Sequence, residues 1–107
     1  MMALDFTRHP LPELGRGLPA DTDHLLARIG PGAVLLIHVP PGDYPYEVHQ
    51  QSEYLVCLQG RLVLEGEGGQ RAEAAVGQML EVPPGLRHHF AAESDAVILT
   101  VVQKAPG

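Results

Sequence analysis

The chain has 107 residues, and 45% of them are hydrophobic, which is enough to build the core of a single domain and argues against disorder. Its net charge of -6, with only 7 Lys and Arg residues scattered along the sequence, provides no basic surface for a nucleic acid. No segment approaches the roughly 18 apolar residues of a membrane helix, and the first ten residues do not resemble a secretion signal. Because Cys57 is the single cysteine, an intramolecular disulfide and a cysteine-based zinc cluster are both excluded. The composition predicts one cytoplasmic domain that binds neither nucleic acid nor a membrane.

The first 23 residues differ in composition from the rest of the chain. Proline or glycine interrupts them at positions 10, 12, 15, 17 and 19, a pattern that disfavours regular secondary structure. Their few leucine and phenylalanine side chains suggest a segment that lies along the main domain or on a neighbouring subunit, and the alternative is a partly ordered tail. We therefore predict an N-terminal arm over residues 1–23 and a single domain over residues 24–107.

Short apolar runs separated by turn residues follow the arm, which indicates an all-β domain with about eight or nine strands and no long helix. The Glu-Gly-Glu-Gly-Gly-Gln sequence at 65–70 is typical of a hairpin loop, because glycine accepts the positive φ angles of such turns. The candidate strands are residues 24–29, 33–39, 53–59, 61–65, 70–75, 78–82, 87–92 and 96–103.

Two of these runs, residues 33–37 and 97–102, are apolar on both strand faces instead of alternating. A strand in a two-sheet barrel turns only one face to the core, so its outer face must be covered by something else. The arm, local loops or a second subunit could provide that cover. We expect a homodimer.

Glu47, His49, Glu53 and His88 are the residues in which we expect the chemistry to reside. Side chains two positions apart on a strand share a face, so Glu47 and His49 point together, and Glu53 joins them if the backbone stays extended. A Pro-Pro-Gly turn just before residue 87 would direct His88 to the same interior, with Phe90 following on that face. Two imidazoles and a carboxylate can hold a divalent metal with open coordination positions.

The segment around these residues resembles the first motif of the cupin superfamily, which reads Gly, five residues, His-x-His, three or four residues, Glu, six residues, Gly. His49, Glu53 and Gly60 match, with three and six residues between them. Gly42 lies one residue too close, because only four residues separate it from Glu47. Glu47 stands where the family usually has its first histidine.

The second cupin motif, Gly-x5-Pro-x-Gly-x2-His-x3-Asn, is also present. Gly77, Pro83, Gly85 and His88 match it, and Ala92 replaces the final asparagine. The 16 residues between the two motifs resemble the short spacing of small bacterial single-domain cupins. The resemblance extends from about residue 30 to about residue 103.

This resemblance implies a double-stranded β-helix, or jelly-roll barrel, with the arm attached. Family members commonly hold a metal inside the barrel through both histidines and the glutamate of the first motif and the histidine of the second. Carried over to this chain, the ligands are His49, Glu53 and His88, with Glu47 in place of the first histidine. The implied cofactor is a divalent ion such as Fe, Mn, Ni or Zn.

Glu47 leaves three states open. As a fourth ligand, it would neutralise the ion further and weaken the activation of bound water. Unbound, it would leave a two-histidine, one-carboxylate face suited to Fe(II) oxygen chemistry and could act as a general base. In the third state, its presence marks a degenerate metal site.

These states lead to two hypotheses about function. The first is a metal-dependent enzyme that acts on a small metabolite, either as a dioxygenase or as an isomerase or lyase. The second is a non-catalytic cupin that binds a small ligand or has a structural role. The fold alone does not discriminate between them.

Overall fold

The computed structural model describes residues 4–105 of the chain, which form seven strands and one short helix. The described part contains no helix that is long and apolar enough to cross a membrane. The elements in chain order are α1 (Leu11–Arg16), β1 (His24–Ile29), β2 (Gly32–Val39), β3 (Glu53–Gly66), β4 (Arg71–Ala75), β5 (Met79–Val82), β6 (His88–Phe90) and β7 (Asp95–Val102).

All strand pairs are antiparallel, and the order along the main path of the sheet is β1-β2-β7-β3-β4. The long strand β3 also pairs with β5 near its start and with β6 near its end, which curls the sheet around a core. The architecture is the predicted cupin-type jelly-roll barrel. The core consists mainly of inward-facing aliphatic side chains, among them Ile37, Val39, Leu55, Leu62 and Ile98.

The prediction of eight or nine strands was wrong in one respect. The runs 53–59 and 61–65 form one continuous strand, β3, instead of two. Gly60 has a φ of 75°, and the register with β7 shifts just before it, between Cys57 and Gln59, so the strand bends there without ending. A Cβ at Gly60 would overlap the carbonyl oxygen of Asp95, so this position requires glycine.

The expectation that the first 23 residues lack regular structure was also wrong, because α1 lies within them. Pro12 is tolerated in the first turn, where backbone N–H groups have no partner in the helix. Gly15 lets the helix approach the sheet closely, since a Cβ there would overlap the side chain of Val97. Before the helix, Leu4 and Phe6 are fully exposed.

Helix α1 lies against the outer face of the sheet and covers part of the two apolar runs. Leu36 on β2 and Val97 on β7 are completely buried, although both point away from the barrel interior. The Arg16 guanidinium donates to the Asp95 carboxylate over 3.0 Å, and the His38 ring nitrogen Nδ1 lies 3.0 Å from the carbonyl oxygen of Leu18. The N-terminal segment therefore covers part of the outer face, which was one of the three alternatives predicted. The domain boundary between residues 23 and 24 remains a prediction.

Candidate metal centre

Glu47 lies directly opposite His88 in a short antiparallel bridge. The N–H of Glu47 donates to the carbonyl of His88 over 2.7 Å, and the N–H of His88 donates to the carbonyl of Glu47 over 2.9 Å. Residues that face each other in an antiparallel pair direct their side chains to the same side of the sheet. Backbone pairing therefore brings these two side chains together, although 41 positions of sequence separate them.

His49 and Glu53 approach the same point from neighbouring elements. The carbonyl of His49 accepts a hydrogen bond of 2.9 Å from the N–H of Gly85, which ties the segment after Glu47 to the turn before β6. Glu53 is the first residue of β3, where it pairs with Val82 on one side and Val102 on the other. His49 is thus held by a loop, and Glu53 is held by the sheet.

The ligand atoms of the four residues converge. Nε2 of His49 lies 3.5 Å from Oε2 of Glu47 and 3.9 Å from Oε1 of Glu53. Nε2 of His88 lies 3.5 Å from the same Oε1 of Glu53. One donor atom each from Glu47, His49 and His88 lies within 4.8 Å of the others, a spacing at which a single ion could contact all three. The structure therefore brings together every site residue that the sequence indicated, while their role as ligands remains a prediction.

His88 is prepared for coordination by its surroundings. Its Nδ1 lies 2.8 Å from the carbonyl oxygen of Leu86, an acceptor that fixes the proton on Nδ1 and leaves Nε2 directed at Glu53. Burial favours the neutral ring, but the hydrogen bonds to Glu53 and to the Leu86 carbonyl outweigh burial and raise the pKa of His88 above its ordinary value.

His49 provides the clearest sign that the donor set suits a metal. Its Nε2 is buried and has no hydrogen-bond partner among the described residues. A buried polar atom without a partner costs about 1 to 3 kcal/mol, and coordination to an ion would satisfy it. Two imidazole nitrogens with carboxylate oxygens are a donor set suited to Fe, Mn, Ni or Zn. The residues present therefore fit a divalent metal ion.

The four side chains line a cavity of about 240 Å³. Leu35, Ile37, Phe90 and Val102 form an apolar part of its wall, and Phe90 also packs against the hydrophobic core, as expected for a residue that follows His88 onto the inner face. Exposure of the site side chains decreases from 48% for Glu47 to 13% for Glu53 and 6% for His88. The cavity is therefore open to solvent at Glu47 and shielded from solvent at His88.

Three charged residues of the cavity wall escaped the sequence analysis, namely Asp21, Asp23 and Lys104. Asp21 and Asp23 follow α1, and Lys104 follows β7. None of them belongs to a motif, and no local pattern indicates that they line a cavity. They reach it because the docking of α1 and the end of β7 place them there.

Several solved structures share this fold. Protein NMB1881 from Neisseria meningitidis is 16% identical, with a TM-score of 0.75 over 90% of this chain and 98% of that chain. A cupin-2 domain containing protein from Shewanella frigidimarina is 18% identical, with a TM-score of 0.74 over 84% and 87%. Hydroquinone 1,2-dioxygenase from Sphingomonas sp. TTNP3 is 13% identical, with a TM-score of 0.73 over 87% and 72%. Likeness at these identities establishes the fold alone.

A search of curated protein sequences finds no significant match to the chain. The sequence profile of the cupin domain, in contrast, matches residues 35–102, which include both motifs and all four site residues. Together with the barrel, this match shows that the chain belongs to the cupin family.

Proposed function

We propose that the protein is a metal-dependent cupin that acts on a small metabolite within the barrel, with His49, Glu53 and His88 as ligands of a divalent ion. The observation that carries the proposal is the buried Nε2 of His49, which has no hydrogen-bond partner within residues 4–105 and lies 3.5 Å from the Glu47 carboxylate and 3.9 Å from the Glu53 carboxylate. Hydroquinone 1,2-dioxygenase, which shares the fold, is a precedent for oxygenase chemistry on such a barrel. Isomerase or lyase chemistry is the other reaction class that the donor set supports.

A divalent ion at this site would polarise an oxygen atom of the bound molecule, and a redox-active ion would extend the chemistry to oxygenation. The protein's own contribution is positioning. Glu53 is fixed by pairing with strands on both sides, and His88 is oriented by its contact with the Leu86 carbonyl. The apolar wall around Phe90 would limit the access of water to a molecule bound on the His88 side of the cavity.

We assign to Glu47 the transfer of protons or a fourth ligand position. Its carboxylate lies 3.5 Å from Nε2 of His49, while about half of the side chain remains in contact with solvent. A group in this position can take a proton from a bound molecule and return it to water. The same position also allows it to move onto the ion.

Metal analysis tests the proposal. The protein is prepared without an affinity tag and without chelators, and its metal content is measured by mass spectrometry for the wild type, His88→Gln and His9→Gln. We expect close to one ion per chain in the wild type and in His9→Gln, whose histidine is exposed and lies outside the cavity. His88→Gln should lose most of the ion. Equal metal content in all three proteins would contradict the assignment.

The identity of the ion divides the reaction classes further. Iron together with oxygen uptake in the presence of a candidate substrate would support a dioxygenase, and another divalent ion without oxygen uptake would support an isomerase or lyase. A wild-type protein that neither retains nor takes up a metal, yet still binds a metabolite, would support the non-catalytic cupin instead.

A pair of variants separates the states of Glu47. If Glu47 is a ligand, Glu47→Gln should bind the ion more weakly, and Glu47→His, which restores the family's usual residue, should recover the affinity. If Glu47 is a base, both variants should keep the ion, and turnover should fall. Calorimetric titration of the metal-free proteins with Zn²⁺ measures the change in metal affinity independently of activity.

We further propose that two copies of the chain associate through the part of the outer sheet face that α1 leaves uncovered. Val34 and Val101 face each other there and are only half-buried, while Ile29 is 63% exposed and Met79 is 55% exposed. Apolar side chains that remain accessible on one sheet face favour association. Light scattering coupled to gel filtration should give the mass of a dimer, and Met79→Lys should shift it toward the monomer. A monomeric wild type at micromolar concentration would contradict the proposal.

A further inference from the structure

The N-terminal segment brings a carboxylate to the cavity. After α1, Ala20 pairs with His38 in a parallel bridge, and the N–H of Asp21 donates to the carbonyl of His38 over 2.9 Å. Asp21 has a φ of 53°, in the left-handed region that only a few per cent of non-glycine residues adopt. This backbone arrangement, together with the docking of α1 on the sheet, fixes the position of Asp21 on the cavity wall.

The surroundings of Asp21 disfavour its negative charge. The side chain is half-buried, and its burial, followed by the nearby charges of Glu47 and Asp23, raises the pKa of the carboxyl. Among residues 4–105, no cation or hydrogen-bond donor lowers that pKa in compensation. A bound group that carries positive charge and N–H donors would supply what the surrounding residues do not.

The charge of the whole cavity points in the same direction. Its wall carries four carboxylates and one ammonium group, which gives a formal charge of -3 when the imidazoles are neutral; a divalent ion would reduce this to -1. The formal charge of the cavity therefore stays negative with or without the ion, which favours cations over anions, although solvent at the exposed residues Asp23, Glu47 and Lys104 screens part of this charge. The charged residues of the wall are Asp21, Asp23, Glu47, Glu53 and Lys104.

We propose that Asp21 is a specificity-determining residue that selects small molecules carrying a protonated amine, which its carboxylate binds with help from Asp23. The inference rests on the proposed function only in that the rest of such a molecule would lie toward the metal ligands. The Nε2 of His49, which the proposed ion would satisfy, faces the same cavity, so a molecule held by Asp21 would lie beside the metal ligands. Lys104, two residues after β7, opposes this preference.

Three probes of nearly equal size test the proposal: 3-amino-1-propanol as the cation, 1,3-propanediol as the neutral molecule and 3-hydroxypropionate as the anion. Each is titrated into ¹⁵N-labelled protein, both loaded with Zn²⁺ and stripped by a chelator, and followed by two-dimensional NMR. We expect the amine to shift the amide signals of Asp21 and Thr22 and to bind about tenfold more tightly than either other probe, in both forms.

Two variants localise the effect. Asp21→Asn keeps the side-chain shape and suits the left-handed backbone, because asparagine tolerates positive φ better than other non-glycine residues. It should weaken amine binding about tenfold while leaving 1,3-propanediol unchanged. Asp43→Asn removes the same charge from an exposed position outside the cavity wall and should change amine binding by less than about twofold.

Similar affinities for the three probes, an equal loss in Asp43→Asn, or shifts confined to other parts of the protein would overturn the inference. Comparing the protein with and without Zn²⁺ distinguishes a failure of this inference from a failure of the proposed function. If Zn²⁺ binds but the amine is not preferred, the inference about Asp21 fails and the metal site stands. If the amine is preferred but Zn²⁺ does not bind, the metal site fails and the role of Asp21 stands.

Discussion

Replacing Gly60 by alanine tests the bend in β3, and Gly69→Ala provides a matched control. Both glycines have positive φ, 75° and 89°, so each substitution forces alanine into the left-handed region at about 1 to 2 kcal/mol. Nothing lies within 4 Å of a Cβ at Gly69, whereas a Cβ at Gly60 would overlap the carbonyl of Asp95. Overpacking of this kind adds about 1 to 3 kcal/mol, so we expect a loss of about 2 to 5 kcal/mol for Gly60→Ala against 1 to 2 kcal/mol for Gly69→Ala.

Urea unfolding followed by far-ultraviolet circular dichroism gives both free energies, provided that the transitions are two-state. Thermal unfolding offers a second measure, since each 1 kcal/mol corresponds to about 4 to 8 °C in a domain of this size. The reasoning is refuted if Gly69→Ala is as destabilising as Gly60→Ala. It is also refuted if Gly60→Ala costs less than about 1 kcal/mol, because placing alanine in the left-handed region should by itself cost at least that much.

Three further predictions concern the core, a surface ion pair and the metal. Leu36→Ala, at a fully buried position, should reduce the free energy of unfolding in urea by about 2 to 5 kcal/mol, and a loss below 1 kcal/mol would show that α1 does not seal that face. A hydrogen bond from Arg71 lowers the pKa of Glu93, so this pair contributes stability above the unfolded-state pKa and loses it as pH falls through the folded-state value. NMR titration should show the Glu93 pKa rising in Arg71→Gln, and an unchanged value would contradict the pairing. Zn²⁺ at about 100 times its dissociation constant should stabilise the wild type by about 2.7 kcal/mol, and equal stabilisation of His88→Gln would place the ion elsewhere.

The sequence predicted most strand positions because burial and turn chemistry are local. β1 was predicted with its observed bounds, and β5 and β7 were predicted within one residue at each end. The separation of 53–59 from 61–65 failed because a glycine within an apolar run indicates a turn and a bend equally well. Only the pairing with β7, which continues past Gly60, distinguishes the two.

Helix α1 was not predicted for a related reason. Proline and glycine at its positions disfavour an isolated helix, and six residues are too few for intrinsic helix stability. What stabilises α1 is its contact with the sheet, where Gly15 lies against Val97. Such tertiary contacts leave no periodic signal in a short segment.

Some residues of the candidate site were predictable from the sequence, and others were not. Strand parity within a short segment was sufficient to place Glu47 and His49 on one face, whereas Glu53 and His88 joined the set through the spacing of the two cupin motifs. Asp21 and Lys104 were not predicted, since their place on the cavity wall depends on how distant parts of the chain dock. The candidate metal ligands are therefore easier to predict from this sequence than the residue proposed to select the ligand.

The many partners of β3 have a consequence for local opening of the protein. Because β3 pairs with β4, β5, β6 and β7, its amides should exchange with deuterium only when most of the sheet opens. Glu53 begins this strand, and His88 pairs with Gly66 at its other end, so both belong to the slowly exchanging region. Residues 47–49 lie outside the named strands, and their backbone is joined to the barrel only through the Glu47–His88 bridge and the contact of His49 with Gly85 among the described residues, so they should exchange faster. Two of the candidate ligands would thus remain in place while Glu47 and His49 open and close, which gives a ligand a way in without unfolding the barrel.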